Sequence, residues 1–113
     1  NVDILFKTSK LEKICNYQRL LVRTYGPQMA KLMRRRLDDL LAATCLDEMR
    51  HLKQTCCHEL HGNKTGQLSV DLDHPYRLIF QPANNPVPQR ADGGLDWTRV
   101  TAIMILGVED THE

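Results

Sequence analysis

Hydrophobic positions in the first 45 residues recur at the spacing of two amphipathic helices that follow a short strand. A run rich in β-branched and aromatic residues predicts the strand over 2–7. Apolar residues then recur at helical intervals over 9–25, and Ser9 with Glu12 predicts a capping box at the start of this helix. A proline at the first position of the next segment predicts a second helix over 27–43, because no hydrogen-bonded N–H is needed there.

The second half of the chain carries the pattern of strands. Apolar and polar residues alternate over 66–72, a short turn follows, and 76–80 predicts the partner strand. The residues 100–108 are apolar enough for a central strand, and the proline- and glycine-containing segment 82–96 predicts a long loop before it. The order β-α-α-β-β-β therefore predicts an α+β fold with the helices on one face of a sheet.

Composition is that of an ordinary globular protein. The 113 residues suffice for one domain, so we expect 1–113 to fold as a single unit. The longest apolar run, 102–106, is too short to span a membrane. The four cysteines lack the loop spacing of a disulfide framework, which predicts reduced thiols and a cytoplasmic protein without a membrane partner.

The net charge of +1 is unevenly distributed. Residues 1–64 carry an excess of lysine and arginine, whereas 65–113 carry an excess of aspartate and glutamate. A basic half can bind a polyanion even when the whole protein is nearly neutral, although a solvated helix face is the commoner origin of such charges. Arg36 is expected at the edge of the apolar stripe of its helix, with its guanidinium in water.

Three polar clusters are candidates for chemistry: residues 58–67 before one strand, Tyr76 and Arg77 at the start of the next, and 109–112 after the last. If the strands are neighbours, the clusters meet on one side of the sheet. Imidazoles transfer protons near neutral pH and a guanidinium binds phosphate oxygens. This combination suits metal-independent cleavage of RNA, in which the 2′-hydroxyl attacks the phosphate.

Simpler interpretations exist for each cluster. A single histidine is more often a surface residue than a catalyst, and Arg77 can pair with Asp71 across the hairpin. The sequence Cys56-Cys57-His58 lacks the ligand spacing of zinc sites, so we expect no metal and no cofactor. Trp97 is more typical of a packing anchor than of a base-stacking platform. Residue spacing alone leaves the function open.

Several motifs together point to one family. They are Tyr25-Gly26-Pro27, His58-x-Leu60-x-Gly62-Asn63-x-x-Gly66-Gln67, Tyr76-Arg77-Leu78-Ile79-Phe80 and Asp110-Thr111-His112. On these motifs nearly the whole chain resembles the RelE/ParE superfamily, in particular the HigB-type plasmid maintenance system killer toxins of type II toxin–antitoxin pairs. The resemblance implies a RelE-like fold, in which two N-terminal helices pack on one face of a small twisted antiparallel sheet.

The resemblance also implies an activity, that of a ribosome-dependent messenger RNA endonuclease (mRNA interferase) that inhibits translation. By position it assigns proton transfer to His58 and His112, stabilisation of the transition-state charge to Arg77, and orientation of His112 or a substrate hydrogen bond to Asp110. Secondary contacts with messenger or ribosomal RNA are assigned to Lys31, Arg34, Arg35, Lys64 and Tyr76.

The implied partner is a helix-turn-helix antitoxin of the HigA type. The protein would contact DNA only indirectly, through this antitoxin. Thr111 stands where HigB-type toxins carry a tyrosine, and threonine neither stacks on a base nor replaces a phenol in proton transfer. The alternative function is therefore a non-catalytic binding module on the same fold. It would be a gyrase-poisoning toxin of the ParE type, or a degenerate toxin that serves as antitoxin partner and operon corepressor.

Overall fold

One five-stranded mixed sheet organises the protein in the computed structural model, which describes residues 1–110. The strand order is β1-β5-β4-β3-β2, and the strands are β1 (Asp3–Phe6), β2 (His58–Glu59), β3 (Leu68–Asp71), β4 (Tyr76–Pro82) and β5 (Ala102–Asp110). Three α-helices separate β1 from β2 in sequence, namely α1 (Ser9–Asn16), α2 (Gln18–Tyr25) and α3 (Pro27–Ala42). The predicted α+β class is confirmed.

The sheet is not entirely antiparallel, so that part of the expectation is wrong. Strands β2 to β5 form an antiparallel meander, but β1 pairs with β5 in parallel, with Ile4 opposite Ile103. Strand β2 was also missed, because two residues are too few to show an alternating pattern. Local periodicity cannot predict whether β1 and β5 run parallel or antiparallel, because almost the whole chain separates these two strands.

The first predicted helix is two helices. Tyr17 is extended, with φ −121° and ψ 113°, and separates α1 from α2. The break leaves the carbonyl of Cys15 at a helix end, where it accepts a hydrogen bond of 3.0 Å from Arg34 Nη1 on α3. The cap also differs from the prediction, because Thr8 rather than Ser9 is the N-cap and its Oγ1 accepts from Leu11 N at 3.1 Å.

The helices cover one face of the sheet, and the core lies between the two layers. Its fully buried side chains come from both, among them Leu21, Met33, Leu40, Leu68, Leu78, Phe80, Ile103 and Ile105. Leu68 and Phe80 face each other across β3 and β4, which fixes that side of these strands as the core side. The other side of the sheet is therefore the one that carries Ser69 and Ile79, the alternate residues of the same strands.

Arg36 is buried, contrary to the expected solvated guanidinium. Only 6% of the residue is exposed, and it donates to the carbonyl oxygens of Asp71 (2.7 Å) and Gln54 (3.3 Å). Gln54 belongs to the 3-10 helix Lys53–Thr55, which follows another 3-10 helix, Leu46–His51, and leads into β2. The guanidinium thus joins α3 to the segment before β2 and to the end of β3.

The predicted loop 82–96 is confirmed apart from its first residue, which ends β4, and an isolated bridge between Gln89 and Leu95. The side-chain oxygen of Asn84 accepts from the N–H groups of Thr101 and Ala102 at 3.0 and 3.2 Å, which ties the start of the loop to β5. All four cysteines are unpaired, as predicted. None of the helices within residues 1–110 has the length and apolar character needed to cross a membrane.

Candidate functional site

Three neighbouring strands bring candidate side chains to the sheet face opposite the helices. His58 lies opposite Ser69 in the β2–β3 ladder, and Asp71 lies opposite Arg77 in the β3–β4 ladder. Facing residues of an antiparallel ladder share a face, as do residues two apart along one strand. The sequence clusters around 58 and 77 therefore meet, as predicted, through the pairing of β2, β3 and β4.

Arg77 and His58 are in direct contact. Arg77 Nη1 lies 2.5 Å from His58 Nε2, and it also lies 3.3 Å from Ser69 Oγ and 3.3 Å from a carboxylate oxygen of Asp71. The pairing of Arg77 with Asp71 thus occurs together with the contact to the imidazole, so the two interpretations are not exclusive. Ser69 is fully buried and gives the guanidinium a rigid support.

These partners indicate which tautomer the His58 ring adopts. An arginine side chain only donates hydrogen bonds, so His58 Nε2 accepts, and the proton of the neutral ring is assigned to Nδ1. Nδ1 lies 3.0 Å from the carbonyl oxygen of Glu59 and donates to it. The ring therefore presents the basic lone pair of Nε2 beside a permanent positive charge, and the side chain is exposed.

A second ion pair lies at the same face. Lys64, at the end of the 3-10 helix Gly62–Lys64, approaches Glu109 Oε1 to 2.5 Å, and Glu109 lies opposite Arg77 in the β4–β5 ladder. The candidate RNA contact Lys64 is thus close to the His58–Arg77 pair. Each of these two cations of the face, Arg77 and Lys64, has a carboxylate partner within residues 1–110.

Asp110 and Tyr76 lie at the rim of this site. They face each other across β4 and β5, one position along from Arg77 and Glu109. Alternation along the strands therefore directs both side chains to the opposite face of the sheet from Arg77. The fourth catalytic candidate, His112, lies outside the described residues, together with Thr111.

The candidate cations of α3 lie in the helical layer, behind the sheet as seen from His58. Arg34 has structural partners, since it bonds both Asp38 and the carbonyl of Cys15. Lys31 and Arg35 are exposed. The structure therefore does not bring these three residues to the His58–Arg77 pair.

Sequence reasoning missed a cavity of about 440 Å³ that also borders His58. Its wall includes Arg50, Glu59 and Trp97, and Trp97 is 4% exposed, as expected of a packing anchor. Trp97 Nε1 donates to Glu59 Oε2 at 2.9 Å, and the Arg50 guanidinium carbon lies 3.8 Å from the centre of the indole ring. No local sequence pattern predicts this cluster, because Arg50, Glu59 and Trp97 come from three separate segments of the chain.

The cysteines next to the site are of two kinds. Burial raises the pKa of the Cys57 thiol to about 12, although the nearby Arg50 charge acts in the opposite direction. Cys56 is exposed and adopts a left-handed backbone conformation with φ 47°. Within residues 1–110, no three His, Cys, Asp or Glu side chains are grouped so that they could hold a metal ion.

Comparison with protein-family models and curated proteins identified no relative of this chain. The chain matches no protein-family model, and no curated protein matches it at a significant level. The site is defined by its own residues: an imidazole and a guanidinium in contact, with a buried hydroxyl beneath them and a second ion pair alongside.

Proposed function

We propose that this protein is a RelE-like toxin of a type II toxin–antitoxin pair that cleaves messenger RNA on the ribosome. The observation that supports this best is the contact between His58 Nε2 and Arg77 Nη1 on the sheet face opposite the helices, where His58 is exposed. In this contact, a proton acceptor and a permanent cation lie within the width of one phosphate group. Cleavage of RNA by its own 2′-hydroxyl needs both, one to remove the proton and one to stabilise the charge on phosphorus.

His58 acts as the general base in the proposed reaction. When a phosphate group binds, Arg77 donates to its oxygens, and the Nε2 lone pair accepts the proton of the neighbouring 2′-hydroxyl. The 2′-oxygen forms a bond to phosphorus and the bond from phosphorus to the 5′-oxygen breaks. The products are a 2′,3′-cyclic phosphate and a 5′-hydroxyl end, whose proton would come from His112, the second proton-transfer candidate. No metal or cofactor enters this scheme.

The surrounding residues have supporting roles in the proposal. Ser69 and Asp71 hold the guanidinium of Arg77 before substrate arrives. Lys64 can exchange Glu109 for a backbone phosphate. The ring of Tyr76 is exposed on the other face of the sheet, so its proposed contact with RNA lies away from the cleaved bond. Asp110 precedes His112 by two residues and would orient it.

The proposed partners use other surfaces. Lys31, Arg34 and Arg35 lie in the helical layer, so their proposed contact with ribosomal RNA is separate from the site of cleavage. A helix-turn-helix antitoxin of the HigA type would neutralise the protein in the cytoplasm and link it to operator DNA.

Primer extension on ribosome-bound transcripts tests the proposal, after expression of the chain without its antitoxin. We expect codon-linked breaks, and we expect His58→Asn and Arg77→Gln each to reduce cleavage by roughly 100-fold or more. The matched control is Arg23→Gln, an exposed residue of α2 that makes the same change as Arg77→Gln away from the site and should retain cleavage. Undiminished breaks in both site variants would refute the assigned roles.

A non-catalytic binding module is the second candidate function. Two observations favour it: Thr111 replaces the tyrosine of HigB-type toxins, and Arg77 already has a carboxylate partner in Asp71. A gyrase-poisoning toxin would induce a DNA damage response without transcript breaks. A degenerate toxin would cause neither, but would tighten the binding of its antitoxin to operator DNA.

A further inference from the structure

The cavity beside His58 contains a preorganised stack of side chains. The Arg50 guanidinium carbon lies 3.8 Å from the centre of the Trp97 ring, and Arg50 Nε donates to Asp47 Oδ1 at 2.8 Å. Trp97 is held in turn by its hydrogen bond to Glu59. The Arg50 side chain is nevertheless 49% exposed. One face of its guanidinium therefore covers the indole, and the other is open to a planar ligand.

Glu59 supplies an acceptor to the same cavity. Its Oε2 accepts from Trp97, and the side chain lines this cavity as well as the neighbouring one beside Gly66 and Leu95, which leaves Oε1 for a ligand. A carboxylate oxygen in this position can accept a hydrogen bond from a ligand without losing its structural bond to tryptophan. The volume of about 440 Å³ is in the range of sites for small molecules.

His58 connects this cavity to the proposed site of cleavage. It borders the cavity and its Nε2 contacts Arg77, while His61 stands at the exposed rim. Glu59 lies opposite Leu68 and alternates with His58, so it faces the core side of the sheet and the cavity lies around the edge strand β2 from Arg77. A nucleotide whose phosphate lies at Arg77 would reach this cavity past His58, at the edge of the sheet. The arrangement has the two elements by which proteins bind unstacked bases, a planar stacking partner and a hydrogen-bonding edge.

We propose that this cavity, which we call the base cavity and define by Arg50, Glu59 and His61, binds the nucleobase next to the cleaved bond. The inference rests on the proposed function and adds the part of the nucleotide that is recognised. Arg50 stacks on the base, and Glu59 Oε1 accepts a hydrogen bond from its edge. A permanent cation stacked on an aromatic ring is a favourable platform for a base, because its charge and plane are already fixed.

The chemistry of Glu59 defines the preferred bases. Adenine, cytosine and guanine carry an exocyclic amino group that donates to a carboxylate. Uracil has no amino group, and its only edge donor lies between two carbonyl oxygens that a carboxylate repels. The base cavity is therefore selective for amino-bearing bases over uracil.

Titration of the full ¹⁵N-labelled chain with 3′-phosphorylated mononucleotides tests this by NMR. We expect saturable shifts at Arg50, His58 and His61, with adenosine, cytidine and guanosine 3′-phosphates binding roughly tenfold more tightly than uridine 3′-phosphate. Arg50→Gln should weaken binding of all four by roughly tenfold. Glu59→Gln keeps an acceptor for Trp97, and it should reduce the discrimination against uridine.

Arg23→Gln on α2 makes the same charge change away from the base cavity and should bind like the wild type. Trp97 emission and circular dichroism establish that each variant is folded. If Arg50→Gln unfolds, Arg50→Lys takes its place, since it retains the charge and loses the plane, and it should weaken binding as well. Equal affinities of the Arg50 variants and the wild type would overturn the proposal, as would shifts confined to other surfaces.

The binding experiment is independent of cleavage, so the two proposals can fail separately. If the protein cleaves transcripts while the Arg50 and Glu59 variants keep the same base preference, the base cavity is wrong and the nuclease stands. If the nucleotides bind in the base cavity and no transcript is ever cut, the cavity stands and the nuclease is wrong.

Discussion

The orientation of one imidazole ring governs the chemistry available on the exposed sheet face. Because Arg77 can only donate, the Nε2 atom of His58 accepts, and the carbonyl oxygen of Glu59 accepts a hydrogen bond from Nδ1–H. A base and a cation are thus available at one point without a metal. Ser69 and Asp71 restrict the guanidinium further, so little reorganisation is needed when a phosphate replaces part of this network.

At the same scale, the thiols next to the site should differ in reactivity. Burial raises the pKa of Cys57 to about 12 and that of Cys15 to about 11, so at pH 8 both thiols are almost entirely protonated. Alkylation of the folded protein with iodoacetamide should therefore modify the exposed Cys56 first, then the half-buried Cys45. Mass spectrometry of the digested protein measures the order. All four should react alike in denaturant, and rapid labelling of Cys57 in the folded state would contradict the prediction.

The same shifts predict how stability depends on alkaline pH. A raised pKa means that the folded chain holds the thiol proton more tightly than the unfolded chain does. The stabilisation is complete below the usual value of 9.0 and is lost as the pH rises through about 11 to 12. Urea denaturation at increasing pH should show the free energy of unfolding falling across this window, and Cys57→Ser should flatten that fall.

At the scale of elements, the first helical segment shows where a cap forms. Thr8 is extended and its hydroxyl accepts from Leu11 N, whereas Ser9 already has helical geometry. Thr8→Ala should therefore reduce the free energy of unfolding by about 1 kcal/mol, because a first-turn N–H loses its acceptor. Ser9→Ala is the matched control and should change it far less. Chemical denaturation measures the free energy of unfolding of both variants. A larger decrease for Ser9→Ala than for Thr8→Ala would instead support the predicted capping box at Ser9.

Arg36 provides the link between the helical layer and the strands of the site. Arg36→Met keeps the length of the side chain but leaves the carbonyls of Asp71 and Gln54 without their donor. We expect a loss of about 3 kcal/mol in the free energy of unfolding, from two hydrogen bonds to a charged group. Arg35→Met, on the exposed side of the same helix, should change stability by less than about 0.5 kcal/mol. Equal effects of the two substitutions would show that the buried guanidinium contributes no stability.

At the scale of the whole molecule, one core joins the helices to the sheet, and Trp97 reports on its edge. The core cluster includes Val2 from before β1, Leu40 from α3, Trp97 and Ile105 from β5. A single cooperative transition is therefore expected. Trp97 emission should move to longer wavelength with the same denaturation midpoint as the loss of helical circular dichroism. Two separate midpoints would contradict the prediction of a single domain.

Local patterns predicted most of the elements, whereas the catalytic roles came from the family resemblance. Helix α3 ends one residue before its predicted end, and β3 and β4 lie within or near their predicted ranges, because periodicity and turn residues are local signals. The meeting of His58 with Arg77 was expected only if their strands are neighbours, and the pairing of β2 with β3 in the structure meets that condition. The roles of Asp110 and His112 stay predictions, since the first has its side chain on the other face and the second lies outside the described residues.

By itself, the sequence determined the α+β class and the antiparallel pairing of the strands β3 and β4, since each depends on residues close along the chain. The meeting of His58 with Arg77 was expected only on the condition that their strands are neighbours. Only the tertiary structure decided that β1 runs parallel to β5, that Arg36 is buried, and that Arg50, Glu59 and Trp97 form one cavity. These features join segments tens of residues apart, and their energies come from packing and hydrogen bonds that no local window of sequence contains.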